Sequence, residues 1–191
     1  MARPKEFNPD VALRALQKTF WEKGYHGTSM QDLESATGLK KQSLYREFGN
    51  KDAMYEQSLA LYRDQDIVKL ATLFLQATTA RDRFRDMFDA ILAPVRDGDR
   101  LGCFICNAAI DHAGEDHATM QTVCVGIQDT TALFDKALTA SAVYNKNVSL
   151  RRETAISLTA GYFGLRVMVR GGIPPEELQV TADILVQSIE R

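Results

Sequence analysis

Four polar side chains in a row, Lys40-Lys41-Gln42-Ser43, stand just ahead of two apolar residues spaced i and i+4, Leu44 and Phe48. On a helix this places the polar groups at its N-terminal end and the apolar pair on its underside. The two ammonium groups can meet phosphate oxygens or a guanine edge. The Gln42 amide can bond an adenine edge through two hydrogen bonds, and the Ser43 hydroxyl can serve either base. Tyr45 and Arg46 lie within the next turn and can clamp flanking phosphates. Thr28 sits where a helix is expected to begin, and free N–H groups and the helix dipole there favour a phosphate. Lys51 opens a further helix. Arg3 and Lys5 form a short basic arm of the kind that reaches a minor groove. The plainer reading of the same residues is a solvated basic face on a three-helix core.

A second set of candidates lies further on. Cys103 and Cys106 are three apart, so on a helix they share a face. A thiol near a helix N-terminus ionises more readily, which suits a sensor of electrophiles or oxidants; two small buried apolar residues are the alternative. Phe88, Phe104 and Met120 can line a pocket with Cys103, and Asn107, Tyr162 and Arg166 can anchor a ligand in it. Arg166 stands in a mostly apolar helix and needs an anionic partner, either a carboxylate of this chain or a second copy, or an acidic ligand. Asp111, His112, Glu115, Asp116 and His117 cluster without a strong metal-ligand spacing. No metal, no cofactor and no catalytic activity are expected, because no nucleophile elbow, phosphate loop or paired-carboxylate arrangement has a convincing context.

The elements that must position these groups all read as helices. Asn8-Pro9 is a cap followed by a first-turn proline. Leu13, Leu16 and Phe20 then recur at helical spacing up to Gly24. Thr28 with Gln31 forms a capping box for a second helix carrying Met30, Leu33 and Ala36. Gly38 closes that helix, and a third runs from about Lys41 to Phe48. Asn50 caps a fourth that continues through about Thr79. Further helices are expected near 81–97, 101–113, 117–142, 149–171 and 175–190. The fold is therefore all-α, with about nine helices: a helix-turn-helix domain over residues 1–50 and a helical body over 51–191. Ala160, Gly161 and Gly164 would permit a close helix–helix approach, which should explain glycines that each cost up to about 1 kcal/mol inside a helix.

Bulk composition agrees with a folded protein. The 191 residues are 45% hydrophobic, and no apolar run nears the roughly 20 residues of a membrane span. Glu6, Asn8 and Asp10 follow the basic start where a secretory signal needs an apolar stretch, so a cytoplasmic location with reduced cysteines is expected. Residues 1–51 hold nine Lys/Arg against six Asp/Glu, a net +3, while the remainder carries −5. A basic front end on an acidic body suggests that only the front end meets an anionic partner.

The spaced positions Ala15, Phe20, Gly24-Tyr25, Thr28-Ser29-Met30, Asp32-Leu33, Ala36, Gly38-Leu39, Ser43-Leu44-Tyr45 and Phe48-Gly49-Asn50-Lys51-Asp52 together resemble the DNA-binding domain of tetracycline-repressor (TetR) family regulators over about residues 7–62. The resemblance implies a transcriptional regulator, usually a repressor, that binds palindromic double-stranded operator DNA as a homodimer. It implies that residues 51–191 form a helical ligand-binding and dimerisation domain, with dimerisation through the helices near 149–171 and 175–190 and release from DNA by a small molecule. Cysteine modification or a protein partner is the alternative signal. Arg46 and Glu47 depart from the His or Tyr that members often carry there. Lys40-Lys41-Gln42 falls where members vary, so the operator sequence does not carry over. Gly102-Cys103, with Asn107 and Ala109, resembles a subgroup that begins its sixth helix with Gly-Cys.

Overall fold

The computed structural model describes residues 7–75, 79–111 and 117–189. Among these there are helices and no strands. The order is α1 (Pro9–Gly27), α2 (Met30–Thr37), α3 (Lys41–Phe48), α4 (Lys51–Phe74), α5 (Ala80–Arg96), α6 (Phe104–Asp111), α7 (His117–Leu138), α8 (Ala142–Lys146), α9 (Val148–Arg170) and α10 (Pro175–Gln187). Ten helices replace the expected nine or so. The addition is the short α8, made when the chain turns at residues 139–141, where the Ser141 N–H bonds the Leu138 carbonyl at 3.0 Å. The fourth helix also stops at Phe74 rather than near Thr79, because Thr79 caps α5 by accepting the Asp82 N–H.

The first three helices start and stop on local chemistry. Asn8 Oδ1 accepts the N–H groups of Asp10 and Val11 and opens α1. Gly24 bends that helix with φ +72°, a conformation that strains any residue with a Cβ. The cap of α2 is Ser29, not Thr28. Thr28 is buried and its hydroxyl donates back to the Gly24 carbonyl at 2.6 Å. Ser29 Oγ instead accepts the Asp32 N–H at 3.2 Å, and Asp32 Oδ2 accepts the Ser29 N–H at 2.8 Å, closing the box one residue later than Thr28 and Gln31 would. Lys23 and Ser29 together hold the Asp32 carboxyl well below the usual carboxylate range. Gly38 ends α2 in the left-handed conformation at φ +70°.

Two apolar cores follow. Leu16, Phe20, Leu33, Leu44 and Phe48 close the three-helix head, but their cluster continues without a break into Met54, Tyr55, Leu59 and Tyr62 of α4 and Phe104 of α6. The second core gathers Leu70 and Phe74 with Phe84, Phe88, Phe134, Tyr162 and Leu178 from α5, α7, α9 and α10. The helix α4, 24 residues and about 36 Å long, serves both. In α9, a Cβ on Gly161 would lie 2.6 Å from Leu185 of α10. That glycine gives the Leu185 side chain room where α9 and α10 of the same chain meet. A Cβ on Gly164 would meet nothing within 4 Å.

Replacing the observed cap should cost what a lost N-cap costs. Ser29→Ala is expected to lower unfolding stability by about 1 kcal/mol, read from urea denaturation of the full chain. An unchanged midpoint would place the cap elsewhere.

Candidate nucleic-acid interface and the buried arginine cluster

The start of α3 combines the two duties its sequence suggests. Leu44 and Phe48 are buried, while Lys40, Lys41, Gln42, Tyr45 and Arg46 are exposed and Ser43 is half-buried. The helix is held in place from beneath and from α2: the Lys41 backbone N–H donates to Glu34 Oε1 at 2.7 Å, satisfying one of the orphan donors of the first turn. The Lys41 ammonium sits 5.5 Å from the Tyr45 ring centroid, close enough for a cation–π contact that steadies both side chains. Five polar or aromatic side chains thus project from one short, rigid element.

The flanking groups behave differently from one another. Lys51 Nζ lies 4.3 Å over the Tyr25 ring, and Tyr25 in turn donates its hydroxyl to Asp52. Partial burial pulls the Lys51 pKa below its ordinary value, with Asp52 opposing. Lys51 is thus aimed by α1 beside the α3 surface. Thr28 is not available in the expected way. With 2% of its surface exposed and its hydroxyl turned to Gly24, only its backbone remains near the start of α2. Arg3 and Lys5 lie outside the described residues, as do His112, Glu115 and Asp116 of the polar cluster.

The second site is built on Arg166 of α9. Its Nη1 donates to Asp66 Oδ1 at 3.0 Å and Oδ2 at 3.2 Å, and to the Tyr162 hydroxyl. Its Nη2 donates to the Tyr62 hydroxyl at 2.6 Å and the Gly102 carbonyl at 3.1 Å. Tyr162 passes its own proton toward Asp66 Oδ2 at 2.8 Å. Burial holds both phenols well above their ordinary pKa, so each stays protonated. The partner that Arg166 requires is therefore a carboxylate of this chain, Asp66 on α4. Gly102 must be glycine here: it has φ +66°, and a Cβ would fall 2.6 Å from the Arg166 carbonyl oxygen.

The other sequence candidates are spread around this cluster. Tyr162 and Arg166 line a cavity of about 90 Å³ between α4, α5 and α9. Phe88 is in the second core and Phe104 in the first. Asn107 donates Nδ2 to the Leu101 carbonyl at 3.2 Å, a loop-fixing bond. Met120 is half-buried on α7. Cys103 is fully buried immediately before α6, and Cys106 Sγ approaches the Phe163 carbonyl at 3.8 Å. Burial pushes the Cys103 thiol up, yet the hydrogen bond from Cys106 and the Arg166 charge bring it down to about 6. Burial and its bond to Cys103 push Cys106 up. Sequence reading missed Asp66, Tyr62, Lys69 and Trp21. The one available signal was the unmatched charge of Arg166, and 25 acidic residues could have answered it.

A buried pair of this kind is costly to break from one side. Asp66→Ala should destabilise the chain by about 3–5 kcal/mol, because Arg166 is left charged and unmatched. Adding Arg166→Met should recover much of that loss. Urea unfolding of both variants tests this, and a double variant no better than Asp66→Ala would refute it.

Comparison with known proteins bears on the sequence of the head and on the fold of the whole chain. Residues 12–57 match the family described as bacterial regulatory proteins, tetR family. The HTH-type transcriptional repressor ComR of Escherichia coli (strain K12) is 39% identical over 107 residues, 55% of this chain and 51% of that protein. The uncharacterized HTH-type transcriptional regulator YezE of Bacillus subtilis (strain 168) is 32% identical over 117 residues, 61% of this chain and 60% of that protein. The matches thus span about half to three fifths of these curated relatives. Among solved structures, a cysteine mutant of the TetR family regulator CifR, complexed with 26-bp double-strand operator DNA, superimposes with a TM-score of 0.85 at 23% identity, covering 99% of this chain and 100% of that one. That likeness extends the same fold through the body. Residues 12–57 of the head thus match the tetR family model in sequence, and the ten-helix chain as a whole shares its fold with a TetR family regulator.

Proposed function

We propose that this protein is a sequence-specific operator-binding transcriptional regulator: a repressor that works in the cytoplasm as a homodimer and leaves its operator when the helical body takes up a small molecule. The observation that carries the reading is the start of α3, where Lys40, Lys41, Gln42, Tyr45 and Arg46 are exposed above the buried Leu44 and Phe48. A helix so built can enter a major groove with its N-terminal residues against base edges. Lys51 adds a cation beside it. Binding, not turnover, is the role these groups suit.

Pairing of two heads is part of the reading. Ile156 and Val167 of α9 and Val180 and Ile184 of α10 are exposed apolar residues on the two helices expected to dimerise. Joined there, two copies would present their α3 helices to successive major grooves, about 34–36 Å apart. An effector then acts by favouring a spacing that no longer fits.

The thiol pair supports a second reading, in which the signal is covalent. Cys103 is buried just before α6, where the hydrogen bond from Cys106 and the Arg166 charge oppose the upward push of burial on its thiol. In that case a thiol-blocking reagent weakens operator binding in the parent protein and not in Cys103→Ser. A reagent effect that persists in Cys103→Ser rules this reading out.

The DNA-binding reading has a graded test. Arg46→Ala should weaken binding to all sequences and lower the slope of log affinity against log salt by about 1, as loss of one phosphate contact does. Gln42→Ala should relax preference at one base position at a cost of about 1–3 kcal/mol. Gel-shift titrations over a range of salt, on an operator selected from random duplexes, measure both. Unchanged affinity in both variants would remove α3 from the interface.

A further inference from the structure

Lys51 is the first residue of α4, a place where a cation gives its own helix no stability. The helix dipole leaves partial positive charge at that end, so an acidic residue is favoured there. Asp52 fits that rule and Lys51 does not. Asp52 is also not an ion-pair partner for its neighbour. Its carboxylate accepts the Tyr25 hydroxyl on one oxygen and the Asn50 side-chain amide, at 3.3 Å, on the other. Among the described residues the Lys51 ammonium forms no ion pair and no hydrogen bond. Its three donors are left for an outside acceptor.

What Lys51 does have is a ring beneath it. Nζ stands 4.3 Å from the Tyr25 centroid, within reach of a cation–π attraction. Tyr25 is itself fixed. The bend at Gly24, φ +72°, redirects the last residues of α1. The Tyr25 ring then meets the ring of Tyr55 on α4 edge-on at 5.2 Å, and Tyr55 is buried. The hydroxyl is tied to Asp52 at the other end. A ring anchored at its edge and at its hydroxyl offers one face, and the ammonium lies over that face.

We propose that Tyr25 is a positioning residue for operator binding: it holds the Lys51 side chain ready for a backbone phosphate and, by occupying Asp52, keeps that charge unmatched until DNA arrives. The assignment rests on the operator-binding reading and adds to it a residue of α1. Ordering a free lysine at an interface costs affinity, because its rotatable bonds must be frozen on binding. Here the freezing is done when the head folds. A phosphate contact carries no base information, so Tyr25 acts alike on every duplex sequence.

A double-mutant cycle tests this, read by gel shift of the full-length protein on the selected operator over a range of salt. Lys51→Met should weaken binding and lower the slope of log affinity against log salt by about 1. Tyr25→Leu should weaken binding about fivefold with that slope unchanged, since Lys51 still reaches its phosphate but must first be ordered. Tyr25→Phe keeps the ring and its contact with Tyr55, so it is expected to fold; it loses the hold on Asp52 and should weaken binding about twofold. In the Lys51→Met background neither change at Tyr25 should have an effect, because the residue through which it acts is gone. A Tyr25 variant that costs as much there as in the parent acts through the head's structure instead, and overturns the proposal. So does parental affinity in Tyr25→Leu, or a loss in Tyr25→Phe as large as in Tyr25→Leu. Parental affinity in Lys51→Met overturns this inference and leaves the α3 reading in place. A parent protein that binds no duplex overturns the operator-binding reading, and this inference with it.

Discussion

A guanidinium placed inside a helical body has to be matched donor by donor, because no water is at hand to do it. Arg166 imposes that requirement here, and the body is arranged around it. Asp66 and Tyr62 must come from one helix, Tyr162 from another, and a carbonyl from the loop before α6. Meeting the requirement fixes three elements relative to each other. The loop has no freedom to drift, since Gly102 can approach α9 only without a side chain. The head is then attached to the same place. Trp21 donates its indole N–H to the Leu101 carbonyl at 3.2 Å, and Arg170, one turn beyond Arg166, donates to the Glu22 carbonyl at 3.0 Å. One charged side chain thus sets where the body stands and where the head rests on it.

Aromatic rings carry the contact outward from that point. Tyr62 meets Trp21 edge-on at 4.9 Å and Phe104 at 5.8 Å; Phe104 meets Tyr55, which meets Phe20 of the head. On the other side Tyr162 meets Phe134, and Phe134 meets Phe74 and Phe84. Edge-to-face pairs hold a preferred angle as well as a distance. A displacement at Arg166 therefore has rigid neighbours in both directions. The link is a chain of physical contacts that runs from the buried ion pair to α1.

What the sequence made legible follows the range of the interactions. The head was readable because its determinants are local: the Asn8 cap, the turn at Gly38, and Leu44 and Phe48 one turn apart, although Gly24, expected to end α1, instead bends a helix that continues to Gly27. Even there the capping box was read one residue early. Thr28 has the right chemistry for a cap, and only its burial against Gly24 shows that Ser29 must serve instead. The body helices were also found from periodicity, except that α4 ends at Phe74 rather than near Thr79 and that residues 139–141 separate α7 from the five-residue α8. The site beneath Arg166 was half-visible. Its need for an anion can be read from an apolar helix, but Asp66 lies 100 residues away in sequence, and nothing in the pattern around it distinguishes it from other acids of α4. Pairing at that separation is decided by packing, which a linear pattern does not encode.

The unbroken core beneath the head has a consequence for how such proteins can be rearranged. Leu16, Phe20 and Leu44 share a single apolar cluster with Leu59, Tyr62 and Phe104. A recombination event that cut the chain just after α3 would divide that cluster and leave apolar surface on both fragments. Exchange of DNA specificity between relatives is therefore easier by substitution at exposed α3 positions than by transplanting the head. The unit that could be inherited intact extends through the first half of α4 and brings its α6 contact with it. The exposed α3 side chains can change without disturbing that cluster, while the buried residues beneath them cannot.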